Sequence, residues 1–171
     1  MPTPPLNAAE LLEILGRHGA ETIVVGAVAA VMAGAPLVTF DLDLVYRQSS
    51  DNYDRLLSAL HEISAVYRDP GGRRIVPTAE RLERMRLHLL ETPFGGLDLL
   101  AMIGPNLGYP ELMGRSTAVP LRGRRIFVLD LAAVIEAKEF ADRPKDRAML
   151  PVLRETLRSI QARGKMPEAD S

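Results

Sequence analysis

The sequence contains no cysteine and only three histidines, which excludes a disulfide framework and a thiolate zinc site, and the histidines are too scattered to make a zinc site on their own. Any metal bound here is held by oxygen. An excess of one charge is also lacking: 21 Lys and Arg stand against 22 Asp and Glu, for a net charge of −1. No global positive field marks the chain as a nucleic-acid binder, although a local basic patch would not show in that total. No apolar run approaches the roughly 20 residues needed to cross a bilayer. The opening MPTPPLNAAELLEILGRHGA has neither a basic start nor an apolar stretch ahead of a small-residue cleavage site. The expectation is a cytoplasmic protein with no membrane partner.

What is present has the balance of an ordinary globular protein, with 47% hydrophobic and 25% charged residues in a chain of 171. A chain of that length buries a substantial core without a covalent staple. With no internal repeat and no linker, the expectation is one domain over residues 1–163 and a disordered tail over 164–171.

Asn7 is placed to cap a helix whose Leu11, Leu12, Ile14 and Leu15 recur at helical spacing, and Gly19 is placed to end it. Thr22–Val25 is β-branched and apolar, and it meets Gly26 ahead of a small-residue helix, Val28–Ala33, closed by Gly34. After Pro36, Thr39–Tyr46 reads as a strand, and Ser50 caps a helix over Asp51–Ile63. DPGGRR, Asp69–Arg74, has the composition of a turn. Arg81–Leu90 is compatible with strand or helix, with Leu87–Glu91 read as strand. Pro93, Gly95 and Gly96 then turn the chain into an antiparallel neighbour, Leu97–Met102. Arg125–Val128 is a further strand, Asp130 caps a helix over Leu131–Ala141, and Pro144 opens a last helix from Lys145 to about Ala162. The expected fold is α/β (α+β): a small mixed β-sheet with helices packed on one face, and C-terminal helices.

The stretch VVGAVAAVMAGAPLVTFDLDLVY, Val24–Tyr46, sets Asp41 and Asp43 inside an otherwise apolar strand. Alternation along a strand puts both on one side and Leu42 and Leu44 on the other. Two neighbouring carboxylates raise one another's pKa and cost stability unless a cation sits between them. Magnesium suits the pair, because it prefers oxygen and is commonly held by one or two carboxylates plus substrate phosphates. The plainer alternative is a solvated pair on an exposed strand face. Gly26 adds weight to the first reading, since a glycine between strand and helix lets a backbone approach a phosphate. In ETPFGGLDLLAM, Asp98 interrupts an apolar strand in the same manner. If its strand pairs beside the first, the three acids can hold two metal ions about 3.5–4 Å apart, with Asp98 as general base.

Together, the Val24–Tyr46 stretch, ETPFGGLDLL and VIEAKEFADRPKDRAMLPVL resemble the nucleotidyltransferase superfamily that includes DNA polymerase beta. They look most like its small bacterial branch of minimal nucleotidyltransferases and abortive-infection type toxins. The resemblance spans about Ile23–Leu153 and implies a nucleotidyltransferase-like fold. By it, Asp41, Asp43 and Asp98 bind two magnesium ions. Gly26 and Ala27 lie at the triphosphate of an NTP, and Lys138 and Asp146 border the nucleotide pocket. Arg143 and Lys145 read as solvated charges. The implied activity is nucleotide transfer to a protein, tRNA or small-molecule hydroxyl, within a toxin–antitoxin system in some relatives. Two positions depart from the pattern: Ala27 stands where the family has a second Gly or a Ser, and Leu37 where many members have Arg. The alternative they raise is a degenerate relative that binds nucleotide or a partner without chemistry. A purely structural interaction domain is a third reading.

Overall fold

Asn7 begins the first helix as its side chain predicts: its Oδ1 accepts from the Glu10 N–H at 3.1 Å. In the computed structural model, which describes residues 2–165, this helix is α1 (Ala8–Arg17), and it buries Leu11, Leu12, Ile14 and Leu15. The tail expected over 164–171 falls outside the described residues from 166 onward. β1 (Thr22–Val25) passes straight into α2 (Gly26–Met32) through Gly26 at φ 64°, a left-handed conformation that favours glycine.

β2 (Asp41–Tyr46) starts two residues later than expected, because Thr39 closes a turn instead, its Oγ1 donating to the Asp41 carbonyl at 3.1 Å. α3 (Ser50–Glu62) follows, with Ser49 rather than Ser50 in the cap position. A short β3 (Val66–Tyr67) has no strong sequence signal. The ambiguous stretch divides into α4 (Ala79–Arg84), capped by Thr78, and β4 (Leu87–Thr92). The change of period explains the split: one buried residue, Leu82, serves the helix, whereas burial alternates strictly along the strand. β5 (Gly95–Leu100) pairs antiparallel with β4, Thr92 opposite Gly95. The turn is therefore Pro93–Phe94, and Gly95 and Gly96 belong to the strand rather than the turn.

Met102, expected in the same strand as Leu97, instead opens a separate ribbon of β6 (Met102–Ile103) and β7 (Leu107–Gly108). α5 (Tyr109–Met113), β8 (Ser116–Leu121), β9 (Arg124–Leu129), α6 (Leu131–Ala141) and α7 (Pro144–Gly164) complete the chain. β8 has no forerunner in the sequence reading, because it is an edge strand with one half-exposed face and carries Pro120, a residue that edges tolerate.

The seven-stranded sheet has the order β3-β4-β5-β2-β1-β9-β8. It is mixed, as expected: β2 runs parallel to β5 and β1 to β9, and the other neighbours are antiparallel. Leu42 and Leu44 of β2 and Leu97 and Leu99 of β5 are fully buried. Tyr46, on the same face as Leu42 and Leu44, donates from its hydroxyl to the Leu82 carbonyl of α4 at 2.9 Å. The opposite face of β2 and β5 is left for the acids. α6 packs against α7 and α2. Among the described residues no helix is long and apolar enough to cross a membrane.

Candidate active site

Parallel pairing of β2 with β5 sets Asp43 directly opposite Asp98 and Asp41 opposite Gly96. Since strand residues alternate sides, Asp41, Asp43 and Asp98 share the face turned away from Leu42, Leu44, Leu97 and Leu99. Two glycines make room for them. A Cβ on Gly96 would overlap the Asp41 carboxylate, and one on Gly26 would run into Asp43 Oδ2. Gly96 has no unusual backbone to explain it, so space is its reason to be glycine. Gly26 needs glycine for both conformation and space.

The proximity of the acids shows in the titration of Asp43 and Asp98. Burial, then the Asp98 and Asp41 charges, push the Asp43 carboxyl up from 3.8 to about 7, against the pull of Lys138 and Lys145. Burial also raises Asp98, helped by Asp41 and opposed by Arg68, while a hydrogen bond to Asp43 ties the two carboxyls together. The two carboxyls are coupled, so the rise at Asp43 reflects the Asp98 charge as well as burial.

Beside Asp43 opens a cavity of about 340 Å³. Val25, Leu100, Met102 and Val134 give it apolar walls, Gly26 and Asp43 border it, and Lys138 and Arg143 bring two positive charges. Asp146 holds both cations in place: its carboxylate accepts from Lys138 Nζ at 3.3 Å and from Arg143 Nε at 2.6 Å and Nη2 at 3.2 Å. Burial works to raise the Asp146 pKa, yet the hydrogen bonds from Arg143 and Lys138 leave it lowered. Asp146 is fully buried, so the structure places it behind the cavity wall as a support, with Lys138 on the wall. Arg143, read from sequence as a solvated charge, lines the cavity while still more than half exposed. Ala27 is 9% exposed and does not line the cavity, and Leu37 packs against the edge of the core.

One residue at this site has no sequence signal. Arg68, just past β3, places a single guanidinium nitrogen, Nη2, 2.7 Å from Asp41 Oδ1 and 2.8 Å from Asp98 Oδ1. Its position follows from β3 and β4, which bring a residue remote in sequence beside the acids. The donor set otherwise suits a hard divalent cation: oxygens only, on one face, mutually repelling. Asp43, Asp41 and Asp98 are the groups that would hold magnesium. Among the described residues, however, no three His, Cys, Asp or Glu side chains form a ready-made metal cage. Between Asp41 and Asp98 the cation present is Arg68.

No protein-family model and no curated protein sequence matches the chain. Solved structures do. The solution structure of the antibiotic-resistance factor ANT(2'')-Ia superposes with a TM-score of 0.55 at 13% identity, covering 91% of this chain and 85% of that one. The crystal structure of ANT(2'')-Ia in complex with adenylyl-2''-tobramycin gives a TM-score of 0.54 at 13% identity, over 90% and 87% of the two chains. At that identity the likeness speaks to fold: the protein has a nucleotidyltransferase-like fold.

Proposed function

We propose that the protein is a magnesium-dependent nucleotidyltransferase that moves a nucleotide from an NTP to an acceptor hydroxyl. The observation that carries this reading is the β2–β5 register, which sets Asp43 against Asp98, on the same face as Asp41, beside a cavity bearing Lys138 and Arg143. The apolar walls suit a base and sugar, and the two cations suit phosphates. Gly26, lacking a side chain, lets the nucleotide approach the backbone.

Asp41, Asp43 and Asp98 are the residues that would hold two magnesium ions. Bound magnesium would supply the positive charge that activates the α-phosphate and steadies the leaving oxygen. Asp98 takes the proton of the acceptor hydroxyl as general base. The hydroxyl oxygen bonds to the α-phosphorus, the bond from that phosphorus to the bridging oxygen breaks, and pyrophosphate leaves with its charge met by Lys138 and Arg143.

A small-molecule hydroxyl is the acceptor we favour, because the fold is shared with a protein crystallised with adenylyl-2''-tobramycin. A protein side chain or a tRNA end, in a toxin–antitoxin setting, is the alternative that the sequence resemblance implies. A cytoplasmic location, where NTPs are made, agrees with either.

A second reading has one observation in its favour. Arg68 sits between Asp41 and Asp98, where a degenerate relative would keep a permanent cation in place of metal and bind nucleotide or a partner without chemistry. Pyrophosphate release and thermal shift, measured with each of the four ribonucleoside triphosphates and magnesium, separate the two. Release and stabilisation that both disappear in the Asp41→Asn, Asp43→Asn double variant support transfer. Stabilisation without release, across a panel of hydroxyl acceptors, supports the degenerate binder.

A further inference from the structure

We propose that Arg68 is a resident counter-cation that competes with divalent metal for Asp41 and Asp98, so that metal loads the site well only together with a nucleotide's phosphates. The proposal rests on the nucleotidyltransferase reading above and adds to it a residue that controls access to the acids.

The contact is built into the fold. The Arg68 backbone N–H donates to the Leu89 carbonyl at 3.0 Å, and Leu89 lies opposite Asp98 in the sheet, so the base of the side chain is fixed beside the acids. Gly96 leaves the space that the Arg68 guanidinium and the Asp41 carboxylate both occupy, since a Cβ there would crowd both groups. The guanidinium also divides itself between two acids through one nitrogen rather than forming a bidentate fork with either, which leaves it weaker than a forked pair.

The other cations of the site are held differently. Lys138 and Arg143 are fastened to the buried Asp146, which takes no part in the acid cluster. Among the described residues the only acids paired with Arg68 are Asp41 and Asp98 themselves, so nothing else retains it once they take up metal. The neighbouring Arg73 is occupied with Asp69, its Nη2 2.8 Å from Asp69 Oδ1. A side chain about one-third exposed has room to swing into solvent, or onto a phosphate, when a divalent ion replaces it. A monovalent guanidinium loses to a doubly charged ion that brings phosphate oxygens, but it competes effectively with the hydrated ion alone.

The test is Mn²⁺ binding without nucleotide, by titration calorimetry, for the wild type, Arg68→Met, Arg73→Met and the Asp41→Asn, Asp43→Asn double variant. Two partly exposed pairs of about 0.2–1 kcal/mol each correspond to a factor of up to about thirty. The expected result is therefore Mn²⁺ binding roughly tenfold tighter in Arg68→Met, unchanged in Arg73→Met and lost in the double variant. A lower melting temperature for metal-free Arg68→Met should be recovered on adding Mn²⁺. If Arg68→Met binds Mn²⁺ no more tightly than wild type while the double variant loses it, the acids are a metal site as the functional reading requires, and competition is refuted. If no protein binds Mn²⁺, Arg68→Met included, the competition is refuted, and the functional reading is judged separately by pyrophosphate release with NTP and magnesium. Should Arg68→Met not fold, Arg68→Gln keeps an amide donor for Asp41 and is read by the same outcomes.

Discussion

Replacing Asp43 by Asn should make the metal-free protein more stable at alkaline pH while removing its metal-dependent properties. Asp43 binds its proton more tightly in the folded chain than its ordinary value of 3.8 allows, titrating at about 7. Its contribution to stability is thus fully present below about pH 4 and is lost as the pH rises through 7. The interval of about three pH units, at about 1.4 kcal/mol each, sets an upper limit of about 4 kcal/mol on what the ionised carboxylate costs. Solvent and salt around the neighbouring Asp41, whose side chain is 43% exposed, reduce that to about 2 kcal/mol. Asn has nearly the same shape, does not titrate and can donate to Asp98. For a domain of this size the gain corresponds to about 4–8 °C in Tm. Thermal melts of wild type and Asp43→Asn in EDTA, at pH 5 and pH 8.5, measure it. The gap should be largest at pH 8.5 and clearly smaller at pH 5, where only about one of the roughly three pH units of loss has accrued. A variant that is less stable than wild type at pH 8.5, or a gap that does not change with pH, would refute the picture of a strained acid cluster.

Further outcomes follow from the same geometry. Gly26→Ala places a side chain at φ 64° against Asp43; it should cost about 1–2 kcal/mol of stability, with magnesium-dependent pyrophosphate release falling more than tenfold because the carboxylate is displaced. Asp146→Asn leaves Lys138 and Arg143 without their anchor; urea titration should show a loss of about 2 kcal/mol, and KM for the NTP should rise more than kcat falls. Burial holds the His88 imidazole below its ordinary 6.5, opposed by the Met85 carbonyl, and the Tyr67 and Tyr46 hydroxyls contact its Nδ1 at 2.7 Å and Nε2 at 3.1 Å. Its stabilising contribution is present above pH 6.5 and lost below it, so the urea midpoint of His88→Gln should approach that of wild type as the pH is lowered from 7.5 to 5. An unchanged difference between the two would count against a neutral, buried imidazole.

Much of the strand framework around the acids was legible because apolar runs with acids in alternate positions have few explanations. Asp41, Asp43 and Asp98 stand out for that reason, and the strand register then brings them together. Lys138 was legible only through its resemblance to a family pattern. Arg68 was not, because its meaning depends on β3 pairing with β4 and β4 with β5, and a two-residue strand leaves no periodic trace. Arg143 looked solvated because its exposure hides the cavity it borders. Asp146 drew notice as a pocket residue, but the alternation and helix patterns say nothing about which side of a cation an acid will occupy. β8 escaped because an edge strand with a proline and a weak apolar face resembles a loop.

The direct β2–β5 register has an evolutionary consequence. The two strands that supply all three acids are neighbours in space, yet α3, β3, α4 and β4 come between them in the chain. Insertions or deletions within that excursion leave the carboxylates where they are, so long as the two strands keep step. A shift of one residue in that pairing, by contrast, would carry Asp98 to the leucine side of the sheet. Descent can therefore lengthen or shorten the excursion while the relation between two short strands is inherited unchanged.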